Sequence, residues 1–309
     1  GTVDIKYKTV VTDTYNKTIV LGHAGHLDGA NSYTWPFVAD QNSEDVWVQI
    51  SDANNGSVTA ASAAAFSIRP VITVSAPVNG TRFNAGTAYT GAVQWSVNGS
   101  ATVNPVNVVY SVDGGAYNNT IASGVVATTG TVDWTVPLAA PISENVSVRV
   151  VDSINGNVYG TAPGASAISG TLTLTAPVGS GTTVIAGSTT NSVQWSFAGS
   201  ITDVRVLYDP NSGKGADNIA GNADDYPTIV GNKSQTGSSG TSSLNWDLSA
   251  TGTNTTTVTD KGRIKIVDLN NPTVVYNEGT DFNVSTQFSN LQPSNGAVLT
   301  VGDTNTHIT

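Results

Sequence analysis

The sequence predicts an all-β chain built as tandem two-sheet sandwiches, and three observations carry that prediction. Apolar and polar residues alternate over short runs, as in Val146-Ser147-Val148-Arg149-Val150 and Val204-Arg205-Val206-Leu207-Tyr208, which is the period of a half-buried strand. Turn chemistry such as Asp113-Gly114-Gly115 and Asn155-Gly156 separates the runs, and no stretch sustains a helical period. The same ending also recurs at residues 32–52, 132–152 and 244–268, each time from a tryptophan-bearing run to an aspartate at Asp52, Asp152 or Asp268.

Those aspartates lie 100 and 116 residues apart, far beyond the roughly 20–50 residues of a stacking solenoid repeat. Each repeat is therefore long enough to bury a core of its own. About seven short strands per repeat, without cysteine, describe an immunoglobulin-like β-sandwich. The openings recur as well: Ala76-Pro77-Val78-Asn79-Gly80 before Val93-Gln94-Trp95-Ser96, Ala176-Pro177-Val178-Gly179 before Val193-Gln194-Trp195-Ser196, and Gln292-Pro293-Ser294-Asn295-Gly296 near the end of the chain. We expect the chain to be a fragment of a longer array. Residues 1–69 are then the C-terminal part of one domain, 70–169 a complete domain, 170–286 a complete domain with an acidic insertion, and 287–309 the N-terminal part of the next. Counting on from Gly302 places the next tryptophan one or two residues past Thr309.

Strand by strand, alternation puts Val93, Trp95 and Val97 on one face, and likewise Val193, Trp195 and Phe197. The same holds for Val132 with Trp134, Leu244 with Trp246, and Tyr33 with Trp35 and Phe37. Five of the six tryptophans are thus expected in cores, two per sandwich. Trp47 is the exception. It falls between Val46 and Val48 and aligns with Ser147 and Arg263, so alternation turns it outward, as a protein-contact anchor, a sugar-stacking platform or a lone surface aromatic.

Composition narrows the partners. Charged residues make up 11% of the chain against about 25% in ordinary globular domains, so surface polarity must come from Thr, Ser, Asn and Gly. With 12 basic and 22 acidic residues and a net charge of −10, there is no cationic track for nucleic acid and no attraction to an anionic membrane. No apolar run approaches the ~20 residues of a transmembrane helix. The absence of both Cys and Met removes disulfide and thioether chemistry.

The run Val108-Val109-Tyr110-Ser111-Val112-Asp113-Gly114-Gly115, followed by Val132-Asp133-Trp134-Thr135-Val136-Pro137 and Val146-Ser147-Val148-Arg149-Val150-Val151-Asp152, resembles the immunoglobulin-like repeats of large bacterial surface proteins, surface-layer (S-layer) proteins among them. The low charge, absent sulfur and high Thr and Asn content resemble S-layer subunits in particular, of the kind described for anammox bacteria. The resemblance implies a secreted, non-enzymatic protein of a prokaryotic cell surface. Its partners would be further copies of itself in a lattice and cell-envelope glycans. The alternatives are the stalk of an adhesin and the noncatalytic repeat region of a secreted enzyme.

The most chemically loaded segment is the insertion at residues 209–225. Asp209, Asn211 and Asp217 offer side-chain oxygens, Gly213 and Gly215 let the backbone curl, and Asp224 and Asp225 complete an oxygen-only set of the kind Ca²⁺ takes. The closing glutamate and flanking helices of an EF-hand are missing, and a plain polar hairpin insertion is the other reading. Asp52, Asp152 and Asp268 each precede an Asn-containing turn that the side chain would cap; a calcium clamp between successive domains is the alternative. His23, His26 and Asp28 form a possible divalent-metal set, or a solvated loop. No histidine occurs in 70–286, so no histidine-based triad repeats through the array. Nine sequons, at Asn16, Asn55, Asn79, Asn98, Asn118, Asn145, Asn232, Asn254 and Asn283, permit glycosylation, though a chain this rich in Asn, Ser and Thr generates several by chance.

Overall fold

The computed structural model describes residues 1–25, 31–99, 102–249 and 258–286. By compactness the chain divides into two units, one of Gly1–Phe83, Ala88–Thr135 and Ser143–Ala167, the other of Asn84–Thr87, Val136–Ile142 and the chain from Ile168 onward. Among the described residues nearly all of the regular structure is strand, with a single 3₁₀ turn at Ala127–Thr129.

The first sheet holds β1 (Thr2–Lys8), β2 (Lys17–Ala24), β3 (Ser43–Asp52), β4 (Thr59–Ala61) and β5 (Phe66–Ile68) in the order β2-β1-β3-β4, with β5 also paired to β3. The next stretch supplies β6 (Val71–Ala76), β7 (Arg82–Asn84), β8 (Ala88–Asn98), β9 (Val106–Ser111), β10 (Asn119–Val125), β11 (Thr131–Thr135), β12 (Ser143–Asp152), β13 (Tyr159–Thr161) and β14 (Ser166–Ser169). They form a sheet β11-β8-β6 and a second sheet β10-β9-β12-β14-β7, with β13 on β12. The last stretch repeats this with β15 (Thr171–Ala176), β16 (Thr183–Ala186), β17 (Asn191–Ala198), β18 (Asp203–Asp209), β19 (Thr228–Ser234), β20 (Ser239–Trp246), β21 (Thr259–Asp268), β22 (Tyr276–Glu278) and β23 (Phe282–Thr286). Its sheets are β15-β17-β20 and β16-β23-β21-β18-β19, with β22 on β21. Both stretches are immunoglobulin-like sandwiches. Each has nine strands among the described residues, not the seven or so expected, because strands of three or four residues such as β7 and β13 are too short to leave a periodic signal.

Register makes the repetition quantitative. Asp52 pairs with Val3, Asp152 with Val106 and Asp268 with Val204; two residues along, Ile50 pairs with Ile5, Val150 with Val108 and Ile266 with Val206. One register therefore aims the same positions at each core. Trp134 packs against Phe83 and Tyr110, with ring centroids 4.8 and 5.0 Å away, and Trp246 packs against Tyr208 and Phe282. Trp95, Trp134, Trp195 and Trp246 are all buried.

Trp35 and Phe37 correct the sequence expectation. Trp35 is half-buried against Tyr7, with rings 5.0 Å apart. Phe37 is 80% exposed, whereas its counterpart Val136 is fully buried. Residues 31–40 form no strand. In the second sandwich the corresponding strand β11 is held by β8, through Val132 opposite Val93. The first sheet has no such partner among the described residues, so the alternation of Tyr33, Trp35 and Phe37 has nothing to bury itself against.

Candidate functional site

Three features arise from these strands: a polar joint between the first two sheets' stretches of chain, the acidic loop, and the strand surface around Trp47.

The joint lies inside the first compact unit and begins with a turn cap. Asp152 ends β12, and its Oδ1 accepts the backbone N–H groups of Ile154 at 2.8 Å and Asn155 at 2.9 Å. Asp52 does the same for Asn54 and Asn55, and Asp268 accepts from Asn270 N–H and the Asn271 amide. The capping role is thus present at all three aspartates. Asp152 goes further. It is buried, and its Oδ2 accepts from Asn104 N–H at 2.9 Å and from Asn42 Nδ2 at 3.1 Å. Burial pushes its carboxyl up, but the donors of Asn155, Ile154 and Asn104 outweigh that and hold it below the usual aspartate range.

From Asn42 the network spreads. Asn155 Nδ2 donates to Asn42 Oδ1 at 2.7 Å and to Glu44 Oε1 at 2.9 Å. Glu44 takes Arg69 as a two-point partner, through Nε at 2.6 Å and Nη2 at 2.5 Å, and Ser67 Oγ at 2.7 Å. The Arg69 guanidinium first, and then the Asn155 amide, hold the Glu44 carboxyl down to about 2. Thr102 Oγ1 donates to Asp40 Oδ1 at 2.6 Å. A side chain on Gly99, which has φ of +84°, would meet that same Oδ1 at 2.9 Å and Pro70 Cβ at 3.0 Å, so the chain closes here only with glycine. Residues on both sides of Pro70 are thereby tied by directional, charge-assisted bonds. Sequence reasoning set a domain boundary between residues 69 and 70 and missed the roles of Asn42, Glu44, Asn104 and Asn155 there. Their one local signal was the Asp-x-x-Asn turn at Asp152 and Asn155.

The acidic loop joins β18 to β19. Asp209 is buried, with Oδ2 accepting Lys214 N–H at 2.7 Å and Gly215 N–H at 3.1 Å, and Oδ1 accepting Asn211 N–H at 3.2 Å. Asn211 Nδ2 donates to Gly215 O and to Asn218 Oδ1. Asp224 Oδ2 accepts Ala216 and Asp217 N–H, Asp217 accepts Ile219 N–H and the Asn222 amide, and Asp225 Oδ2 accepts Gly221 N–H at 2.6 Å. The loop is pinned below by Ser212 Oγ on Asp281, whose other oxygen takes Arg263 Nε at 2.7 Å. Buried Tyr226 closes it; burial, and then the neighbouring Glu278, push its phenol well above the usual range. The carboxylates of this loop each serve a separate backbone turn. Among the described residues no three His, Cys, Asp or Glu side chains gather closely enough to hold a metal. His23 stacks edge-on to Tyr33 at 4.9 Å, while His26 and Asp28 lie outside the described residues.

Trp47 is half-buried on β3, and its indole N–H donates to Asp45 Oδ1 at 2.7 Å. Among the described residues no helix is long and apolar enough to cross a membrane.

Neither a family model nor a curated protein matches the chain. Similar solved structures are domain arrays. The fibronectin(III)-like modules of Clostridium thermocellum CbhA are 17% identical, covering 70% of this chain and 95% of theirs, with a TM-score of 0.22. Chicken CNTN1 FN1–FN3 is 13% identical over 91% of this chain and 86% of that one, at 0.22. Drosophila N-cadherin EC1-4 is 11% identical over 93% and 67%, at 0.23.

Proposed function

We propose that this chain is a structural segment of a prokaryotic cell-surface protein that self-associates into a surface layer, with no catalytic role. The observation that carries the reading is the joint at Pro70, where Asp40, Asn42 and Glu44 bond to Thr102, Asp152 and Asn155. A network of directional bonds across a short connector restricts hinge motion. Domains held at fixed spacing can present the same contacts again and again, as a lattice requires.

Calcium belongs to the same proposal. Asp209, Asn211, Asp217, Asp224 and Asp225 would supply its oxygens, which requires their carboxylates to exchange backbone N–H partners for the ion. Isothermal titration at millimolar calcium that gives no heat sinks this part alone.

The test of the function is electron microscopy of the protein through a calcium titration with a chelator control. Ordered two-dimensional sheets support the layer. Isolated beaded rods at every calcium level refute it in favour of a stalk, and in that outcome Trp47 becomes the first residue to examine for sugar or protein contact.

A further inference from the structure

The turn that follows the repeated aspartate occurs three times with one chemical difference. Asp52, Asp152 and Asp268 each cap it, and Val58, Val158 and Val274 donate N–H to the carbonyls of Asn55, Asn155 and Asn271. The residue after that asparagine is Gly56, Gly156 and Pro272 in turn. An asparagine followed by glycine can cyclise, because no Cβ hinders the glycine nitrogen as it meets the side-chain carbonyl. Proline has no N–H to lose and cannot react this way. Both glycines are exposed, with nothing within 4 Å of where a side chain would begin. Asn55 is exposed, and its Oδ1 accepts Ser57 N–H at 3.2 Å. Asn155 keeps the equivalent bond, from Asn157 N–H at 3.1 Å, but is half-buried, and its Nδ2 is held by Asn42 Oδ1 at 2.7 Å and Glu44 Oε1 at 2.9 Å. The joint therefore grips the amide that would have to swing round to react.

We propose that Asn155-Gly156 is a self-modification site guarded by the joint: it reacts only when the joint opens, and its product keeps the joint open. The Gly156 nitrogen gives up its proton and bonds to Asn155 Cγ. The Cγ–Nδ2 bond breaks, and ammonia leaves with that proton. Water then opens the cyclic imide at either of its carbonyls, leaving aspartate or isoaspartate, so that water is consumed and ammonia released with no change of oxidation state. The product carries an anion where the amide donor stood. That anion faces Glu44 and Asn42 Oδ1 across contacts that measure 2.9 and 2.7 Å in the closed joint, and two hydrogen bonds become two repulsions. Reclosure is then opposed, and loss of ammonia to solvent makes the change one-way. The reaction is a property of this chain's joint and does not depend on assembly.

The test is peptide mapping by mass spectrometry of the 309-residue chain held in mildly alkaline buffer, with and without urea. In urea Asn55 and Asn155 should convert at similar rates and Asn271 not at all. In the folded chain Asn155 should convert at least about tenfold more slowly than Asn55, because the reaction follows the fraction of joints that are open. Asn42→Ala and Glu44→Ala each remove one acceptor of Nδ2, and should speed Asn155 toward the rate of Asn55 while leaving Asn55 itself unchanged. Equal rates at the two sites in the folded chain overturn the guard, and so does an Asn155 that stays slow in both variants, since the turn alone would then protect it. The one-way step is read separately from thermal midpoints. Asn155→Asp should melt below Asn155→Ala, with Glu44→Gln recovering part of the loss; a midpoint for Asn155→Asp equal to that of the parent overturns the claim that the product holds the joint open.

Discussion

At the scale of single residues, the repeated aspartates have one shared role and one acquired role. All three cap a turn, but only Asp152 also anchors the joint, through Asn42 and Asn104. Asp152→Ala would leave several half-buried donors without their acceptor, and a cost of about 2 kcal/mol is expected. Asp52→Ala, at a half-exposed turn, should cost about 1 kcal/mol. Urea unfolding of the two variants checks the difference, and equal losses would show that the Asn42 and Asn104 bonds add nothing. Gly213 is a second local constraint. Its φ is +72°, and a Cβ would stand 2.5 Å from Tyr226 Oη, so Gly213→Ala should destabilise by about 2 kcal/mol through strain and a clash with a buried ring. A thermal midpoint within a degree of the parent would contradict this. The capping aspartates were legible from sequence because a cap reaches only two or three residues. Asn42 was not, because its partners lie 60 and 110 residues away.

Among the strands, the same pattern gives different burial according to what lies opposite. Trp246 on β20 is fully buried between Tyr208 and Phe282, and Trp246→Ala should cost about 4 kcal/mol. Trp35 carries the same alternation outside any strand and keeps only part of that burial. Trp35→Ala should cost about 1 kcal/mol, since the lost apolar contact area is smaller. Acrylamide quenching of variants that each retain one of these two tryptophans gives an independent check, with Trp35 the more accessible. The acidic loop is the converse case. The sequence placed Asp209 and Asn211 at the start of a curled segment, which is where they stand, while the choice of backbone N–H groups as their partners was set by how the segment folds onto Arg263 and Asp281.

For the whole molecule, the joint makes the first compact unit sensitive to acid in a defined direction. Glu44 is held down to about 2 and Asp152 below its usual value. A carboxyl depressed in the folded state stabilises fully above its unfolded pKa of about 4 and loses that contribution as pH falls toward the folded value. The first unit should therefore loosen between about pH 4 and pH 2, and Glu44→Gln should flatten that dependence. Circular dichroism melts across this range settle the point; an unchanged slope in the variant would remove Glu44 from the account. Glu44 is partly exposed, so salt should weaken its pairing with Arg69.

The sequence by itself determined the all-β class, the tandem repetition, the tryptophans that anchor two sandwiches and the aspartates that cap their turns. These follow from short-range rules: side chains alternate with period two along a strand, and a cap reaches its own turn. Tertiary structure alone decided which apolar faces are covered, where Trp35 and Phe37 lie, and which polar residues lock the joint at Pro70. Burial and long-range hydrogen bonding depend on what a strand meets from elsewhere in the chain, and alternation along the strand carries no record of that partner.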